Sequence, residues 1–241
     1  MQLAGPPVMS SVIGLFRLAD NLLRGEQLPA RGTREQRLPV FGSLILAIVV
    51  YGMFYGGVMG SYGGVSGLRL WQAVYSAVKV PFLMITTFLL SLPSFFVLNT
   101  LFGLRDDFAR VVRALISTQA GLTVILSALA PFTAFWYVSG SNYEPAILFN
   151  GMMFAVASFS AQWMLRREYI PLIESNPKHR WMLRTWIVIY VFVGIQMGWV
   201  LRPFIGNPKA PVQFFREGSW SNAYVVVLQM IWDVLSGRGA T

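Results

Sequence analysis

The chain has 241 residues and a net charge of +9, and 55% of its residues are hydrophobic whereas only 12% are charged. Soluble domains carry roughly 25% charged residues, so this chain has too little polar surface to coat a water-soluble globule. The absence of cysteine excludes disulfides, thiolate metal sites and cysteine nucleophiles, and a single histidine excludes a bis-histidine haem within the chain.

Residues 8–24 form a predicted amphipathic helix. Its apolar side chains recur at helical spacing, as Val12, Phe16, Ala19 and Leu23. The pattern suits a helix that lies in the membrane interface, or alternatively one packed on the protein's own cytoplasmic face. Residues 25–39 are polar and contain glycine and proline. We therefore interpret residues 1–39 as a cytoplasmic helix and linker.

Five long apolar segments follow, and they predict an all-α fold, a polytopic transmembrane bundle of about five spans. The predicted spans are residues 40–60, 80–102, 113–138, 145–165 and 181–205. Each has roughly the 20 residues needed to cross a hydrocarbon layer. An apolar stripe over residues 68–78 predicts a short interfacial helix or an extension of the second span, and Lys79 is assigned to the loop before that span. Residues 40–205 thus form the predicted membrane domain.

Residues 206–241 form a predicted tail on the outer face. Its apolar stretch, residues 224–235, has only 12 residues and contains Asp233. Because this stretch is too short to cross, we interpret it as an interfacial helix, which gives the bundle interfacial helices at both ends.

The distribution of positive charge predicts the orientation. With the N-terminus inside, 13 of the 19 Lys and Arg residues lie in cytoplasmic segments and 6 lie outside. The excess on the inner side favours an integral membrane protein with its N-terminus inside and its C-terminus outside. The same bias makes anionic membrane lipids, rather than nucleic acid, the expected partners of the basic residues.

Small residues mark two predicted helix-packing faces. Gly52, Gly56 and Gly60 recur every fourth residue in the first span. Gly151 with Ala155, and Ala157 with Ala161, give a similar small-residue face on the fourth. Missing side chains let another backbone approach closely. The contact is either packing within the chain or association with a second copy or a partner subunit, so a homo-oligomer is compatible with the pattern.

Catalytic groups are missing from the predicted spans. All ten carboxylates are assigned to loops, tails or interfacial helices, which argues against an ion-coupled transporter. Metalloprotease and serine-hydrolase motifs are absent. His179 is predicted to lie at the surface or in the membrane interface, and Asp106 with Asp107 at a solvated helix start. Amides and hydroxyls within the spans, such as Gln119, are expected to bridge helices. We expect no catalytic residue, cofactor or metal site.

The segment from residue 196 to residue 224 combines arginines, prolines and aromatic rings. The candidate docking or lipid-binding residues are Arg202, Pro203, Phe204, Phe214, Phe215, Arg216 and Trp220. Aromatic anchors beside arginine are common where proteins dock. The alternative is an interfacial cap that covers the bundle's own outer end.

Four short motifs carry a resemblance to known sequences. The chain has R-P-F-x-G-x-P at 202–208, P-x-x-F-F-R-E at 211–217, S-N-x-Y at 221–224 and K-V-P-x-L at 79–83. These resemble motifs in a group of uncharacterised bacterial multi-span membrane proteins, and this resemblance implies the bacterial cytoplasmic (inner) membrane. The layout of a cytoplasmic segment followed by five clustered spans is similar to that of the Yip superfamily of Rab-GTPase-interacting membrane proteins. The resemblance implies a five-helix membrane fold and assigns no binding or catalytic residue.

Together these features predict a non-catalytic integral membrane subunit or scaffold that packs with other membrane protein subunits. The alternative is a carrier or permeation pathway for a lipid or a small neutral solute. A third hypothesis is an enzyme subunit whose chemistry resides in a partner or a bound cofactor.

Overall fold

The computed structural model describes residues 12–25, 34–140, 142–216, 218–226 and 232, and within these ranges it contains helices and no strand. The long helices are α1 (Val12–Arg24), α2 (Arg34–Gly60), α3 (Leu70–Leu101), α4 (Phe108–Val138), α5 (Tyr143–Ser175) and α6 (Lys178–Leu201). Short 3₁₀ turns, Gly67–Arg69 and Arg105–Asp107, lead into α3 and α4.

Five of these helices, α2 to α6, are long and apolar enough to cross a membrane. Large apolar side chains remain exposed around the bundle, and Phe135, Leu148 and Phe159 each keep about three quarters of their surface accessible. Such a belt is costly in water and normal against lipid. The prediction of a helical fold with five apolar helices is therefore confirmed, and the belt is consistent with a membrane protein.

Helix α4 forms the centre of the bundle. It packs against α2 on one side and α5 on the other, while α3 packs against α2 and α6. Every residue of α4 from Ala114 to Val124 is buried, because this stretch is rich in Ala, Gly, Ser and Thr and neighbouring helices approach it closely. By contrast, α5 and α6 contact each other much less than α2 and α3 do. Space therefore remains between α3, α5 and α6.

The three glycines of α2 lie at its crossing with α3. A Cβ atom on Gly52 would lie 3.3 Å from Pro81, one on Gly56 would lie 2.9 Å from the Cα of Ala77, and one on Gly60 would lie 2.7 Å from the α3 backbone. All three distances are shorter than ordinary van der Waals contacts. The two backbones thus approach at a separation that only glycine permits on α2.

Gly151 and Ala155 are both exposed, in contrast to the glycines of α2. A Cβ atom on Gly151 would meet nothing within 4 Å. The other predicted pair of α5, Ala157 and Ala161, faces the bundle and is fully buried. Gly151 and Ala155 therefore do not pack within the described part of the chain, and their packing role stays a prediction for contacts with other molecules.

Helix α1 docks on the bundle. Leu18 and Leu22 are buried in the core, and the Tyr51 hydroxyl donates to the Leu15 carbonyl at 3.2 Å. This arrangement matches the alternative in which the helix packs on the protein's own end. Other apolar side chains of α1 remain exposed, namely Ile13, Phe16 and Leu23. The helix therefore also presents a second apolar face, of the kind that lies in a membrane interface.

The structure decides between two predictions for residues 68–78 and revises one boundary. Helix α3 runs without a break from Leu70, so the stripe is an extension of the second span rather than a separate interfacial helix. Lys79 therefore lies inside a helix and is fully buried rather than in a loop. Helix α6 ends at Leu201 rather than at 205, since Pro203 has no N–H to continue the helix. Of the predicted helix at 224–235, residues 224–226 are helical, and 227–231 and 233–235 lie outside the described residues.

Candidate functional site

Residues 202–226, here called the cap segment, fold back over the end of the bundle where α3 and α5 begin. The Arg216 N–H donates to the Arg202 carbonyl at 3.3 Å, which closes a loop. The Tyr143 hydroxyl at the start of α5 donates to the Ile205 carbonyl at 3.2 Å. Hydrogen bonds within the loop and to α5 therefore give the cap segment a defined shape.

A polar face of α3 binds the backbone of the cap segment. Lys79 Nζ donates to the Pro203 carbonyl at 2.8 Å, Gln72 Nε2 donates to the Phe204 carbonyl at 3.1 Å, and the Ser76 hydroxyl donates to the same Phe204 carbonyl. The side chains at positions 72, 76 and 79 are all buried. They are four and three residues apart, so they lie on one face of the helix. This spacing is the signal in the sequence that could have identified the contact.

Lys79 is a buried cation without a described carboxylate partner. Besides the Pro203 carbonyl it contacts the Phe214 ring, whose centroid lies 4.9 Å from Nζ. Phe214 also packs edge-on against Tyr75 at 5.3 Å. The cation is thus held by a carbonyl dipole and an aromatic face, both supplied by the cap segment.

Two arginines at this end keep a buried N–H without an acceptor. Arg69 Nη2 donates to the Tyr62 and Gly206 carbonyls at 2.9 and 3.3 Å, but its Nε has no hydrogen-bond partner among the described residues. The Arg202 guanidinium stacks on Trp199, and its Nε is likewise buried and unpartnered within those residues. Burial lowers the pKa of Arg202, and the positive charge of Arg216 lowers it further.

Positive charge therefore accumulates at the cap end. Arg69, Lys79, Arg202 and Arg216 all lie there. Over the described ranges, the ion pairs join Asp20 to Arg24 and Asp107 to Arg110 and His179, and none involves these four cations. The cap end is an electropositive region whose charge is unmatched by the described carboxylates.

Two cavities adjoin beneath the cap segment. The apolar cavity, of about 420 Å³, lies between α2, α3, α5 and the cap segment and is walled by Met59, Leu83, Ile147, Phe154, Phe204 and Ile205. The polar cavity, of about 400 Å³, is walled by Arg69, Gln72, Asn207 and Gln213 among others. Tyr143, Pro203 and Arg216 line both cavities, so the two meet at these residues.

The predicted docking residues divide into two groups. Arg202, Pro203, Phe204 and Arg216 line the apolar cavity. The other three, Phe214, Phe215 and Trp220, do not line it. Phe214 packs on α3 as described, while Phe215 is 40% and Trp220 79% exposed. Four lining or anchoring residues were absent from the prediction, namely Arg69, Gln72, Lys79 and Tyr143. All four precede the cap segment by more than 50 residues in the chain. The spacing of residues within the tail therefore could not predict them.

At the opposite end of the bundle, a buried histidine connects two helices. His179 Nε2 lies 3.2 Å from Asp107 Oδ2, and the imidazole packs edge-on against Tyr169. The prediction that His179 lies at the surface is wrong, because the turn between α5 and α6 packs against the start of α4 and encloses the ring. No cluster of three potential metal ligands occurs among the described residues.

Polar side chains inside the bundle form bridges between helices. Asn150 of α5 accepts from the Tyr55 hydroxyl at 3.1 Å and donates to the Tyr137 hydroxyl at 2.7 Å. The Tyr190 hydroxyl of α6 donates to Gln119 Oε1 of α4 at 2.6 Å. These contacts agree with the bridging role expected for amides within the spans.

The chain matches no protein-family model, no curated protein and no solved structure. Evidence about function therefore comes from the geometry and the chemistry of the cap end.

Proposed function

We propose that this protein is a non-catalytic integral membrane subunit that binds an anionic lipid beneath its cap segment. The observation that carries the proposal is that a polar and an apolar cavity meet at Arg216. A molecule that fills both cavities has a polar, negatively charged head and a hydrocarbon chain. A free inorganic anion would leave the apolar cavity empty.

The head of such a lipid would lie in the polar cavity. A phosphate group accepts hydrogen bonds from guanidinium groups, and arginine geometry suits it. The buried Nε of Arg69 and that of Arg202 both lack an acceptor in the described part of the chain. An anion at the junction of the cavities would balance the positive charge and supply acceptors. The acyl chain would extend along Leu83, Ile147 and Phe154.

We also propose that α2 to α6 cross the bacterial cytoplasmic membrane, with the N-terminus inside and the cap segment outside. Five sufficiently long apolar helices and the 13-to-6 division of basic residues support this topology. In this arrangement the lipid-binding cavities open at the outer leaflet.

Single cysteines in this cysteine-free chain test the topology. Ser175 at the end of α5 and Lys209 in the cap segment are both exposed, whereas Ser219 is buried and unsuitable. We expect a membrane-impermeant maleimide to label Lys209→Cys in intact cells and to label Ser175→Cys only after the cells are permeabilised. Labelling of both variants from the same side would contradict the proposed topology.

Replacing Arg216 tests the lipid site. Arg216→Gln should weaken the binding of phosphatidylglycerol at least about tenfold, because a charge-assisted hydrogen bond contributes about 1.5–3 kcal/mol. Binding is measured by native mass spectrometry of the full chain released from nanodiscs that contain phosphatidylglycerol or phosphatidylcholine. Wild type should prefer the anionic lipid.

Lys209→Gln is the matched control, since Lys209 is an exposed cation of the same cap segment that lines neither cavity. It should retain wild-type binding. Equal losses in the two variants would indicate general surface electrostatics, and the absence of any preference for phosphatidylglycerol would refute the site.

Exposed Phe215 and Trp220 lie beside this site, at residues that the sequence identified as docking candidates. A partner subunit that binds them would contact the lipid-loaded cap directly, and this agrees with a scaffold role. Lipid transport is the alternative role for the same site. Movement of labelled phosphatidylglycerol between leaflets of liposomes that contain only this chain would favour the carrier over the scaffold.

A further inference from the structure

A third cavity lies near the middle of the bundle, and it shares Leu83 and Phe154 with the apolar cavity of the lipid site. Its volume is about 330 Å³, and it is bounded by α3, α4, α5 and α6. Most of its wall is apolar, but six polar residues line it, namely Thr87, Thr118, Gln119, Ser158, Gln162 and Tyr190. Each of the six lies near the midpoint of its helix. If these helices cross the membrane as proposed, this is a polar spot at the depth where water is scarcest.

The hydrogen bonds at this spot are incomplete. The Tyr190 hydroxyl and Gln119 Oε1 satisfy each other at 2.6 Å. Thr87 Oγ1 and Gln162 Oε1 are buried and have no hydrogen-bond partner among the described residues. An unpaired buried polar atom normally costs about 1–3 kcal/mol, so such atoms are usually paired with protein, water or a ligand.

The two unpaired oxygens define what would complement them. An amide oxygen accepts only, whereas a threonine hydroxyl both donates and accepts. A hydroxyl group between them would donate to Gln162 Oε1 and accept from Thr87 Oγ1. Lys, Arg, His, Asp and Glu are all absent from the described lining, so nothing there favours a charged ligand. The remaining wall, which includes Leu83, Leu122 and Phe154, favours a hydrocarbon body.

Access to the cavity is from the side. Val191 and Ile195 of α6 both line it, and each keeps about half of its surface exposed. Because α5 and α6 contact each other little, a molecule dissolved in the hydrocarbon layer could enter between them. We propose that this cavity binds a membrane-soluble alcohol, a neutral molecule with a single hydroxyl group and an apolar body, which enters laterally between α5 and α6.

Two glycines on α6 provide a matched steric test. Gly194 lines the cavity, and a Cβ atom there would lie 3.5 Å from Thr87 Cγ2. Gly198 lies one turn later, outside the cavity, and a Cβ atom on it would meet nothing within 4 Å. Leucine at position 194 would therefore occupy ligand space, whereas leucine at position 198 would not.

The probe is tritiated farnesol, an isoprenoid alcohol, bound at equilibrium to the full chain in phosphatidylcholine nanodiscs, with empty nanodiscs subtracted. We expect saturable binding to wild type, at least tenfold weaker binding to Gly194→Leu, and unchanged binding to Gly198→Leu. Farnesyl methyl ether, which cannot donate a hydrogen bond, should compete at least fivefold less well than farnesol. Thr87→Val and Gln162→Leu should each abolish this difference between alcohol and ether. Because these two substitutions conserve side-chain volume, they test the site even if Gly194→Leu fails to fold.

Any of three results would overturn the proposal. The first is the absence of saturable farnesol binding, which would indicate a cavity filled by water alone. The second is equal competition by the alcohol and the ether in wild type, and the third is full farnesol binding by folded Gly194→Leu. Arg216→Gln removes a lining residue of the lipid site at the cap end and should leave farnesol binding intact. Comparing phosphatidylglycerol binding and farnesol binding in this variant therefore distinguishes a failure of the lipid site from a failure of the alcohol site.

Discussion

Replacing Gly56 with leucine should destabilise the bundle more than any other substitution at the crossing of α2 and α3. The added side chain would overlap the Ser76 carbonyl and lie 2.9 Å from the Cα of Ala77 at its first atom. Overpacking typically costs 1–3 kcal/mol, and we expect about 3 kcal/mol here because the obstructing atoms are backbone and cannot rotate away. The measurement is thermal unfolding in detergent, followed by circular dichroism and by recovery of monodisperse protein.

The neighbouring glycine supplies the control. Gly57 lies on the same turn of α2, but a Cβ atom there would lie 3.9 Å from the Ala77 side chain, an ordinary contact. Gly57→Leu brings the same gain of about 1 kcal/mol in helix propensity without the overlap, so its melting temperature should equal or exceed that of wild type. If Gly56→Leu melts like Gly57→Leu, the two helices do not approach as closely as described.

Much of the bundle was predictable because its determinants are local. Hydrophobic segments of about 20 residues identify the five long helices, and glycines spaced every fourth residue identify the crossing on α2. The same reasoning did not distinguish Gly56 from Gly151, since a small residue is equally suited to a helix neighbour and to an exposed surface. Whether a small residue packs against a helix or faces outward depends on the positions of the other helices.

The cap end was only partly predictable, because its contacts join distant parts of the chain. Arg202 and Arg216 were identified from composition, but the α3 side chains that bind the adjoining Pro203 and Phe204 carbonyls are more than 120 residues earlier. Lys79 was counted with the loop between the first two predicted spans. Its burial depends on the Pro203 carbonyl and the Phe214 ring, and neither is evident until the chain has folded back.

Reversing the charge at Lys79 should release the cap segment. In Lys79→Glu a carboxylate would replace the ammonium group that donates to the Pro203 carbonyl at 2.8 Å and lies 4.9 Å from the Phe214 centroid. Carbonyl oxygen and the ring face both repel negative charge. Removing one partner of a buried charged contact typically costs about 3–5 kcal/mol, so the cap segment should detach or the chain should fail to accumulate.

A graded series isolates the role of the charge. Lys79→Met keeps most of the side-chain volume but leaves the Pro203 carbonyl unpaired, so its loss should be smaller, about 1.5–3 kcal/mol. The readout is trypsin cleavage at Lys209 and Arg216, which both lie in the cap segment and should become faster to cut in the order wild type, Met, Glu. Because these sites report on the cap segment itself, local release is distinguished from global unfolding, which circular dichroism follows.

Lys178→Glu is the matched control for charge reversal. Lys178 also donates to a backbone carbonyl, that of Phe102 at 3.2 Å, but it is exposed at the other end of the bundle. Water can solvate both groups once that contact is lost, and a negative charge at the first turn of α6 interacts favourably with the helix dipole. Stability and cap cleavage should therefore remain near wild type. Equal effects at positions 79 and 178 would mean that total charge, rather than the buried contact between α3 and the cap segment, holds this end of the protein together.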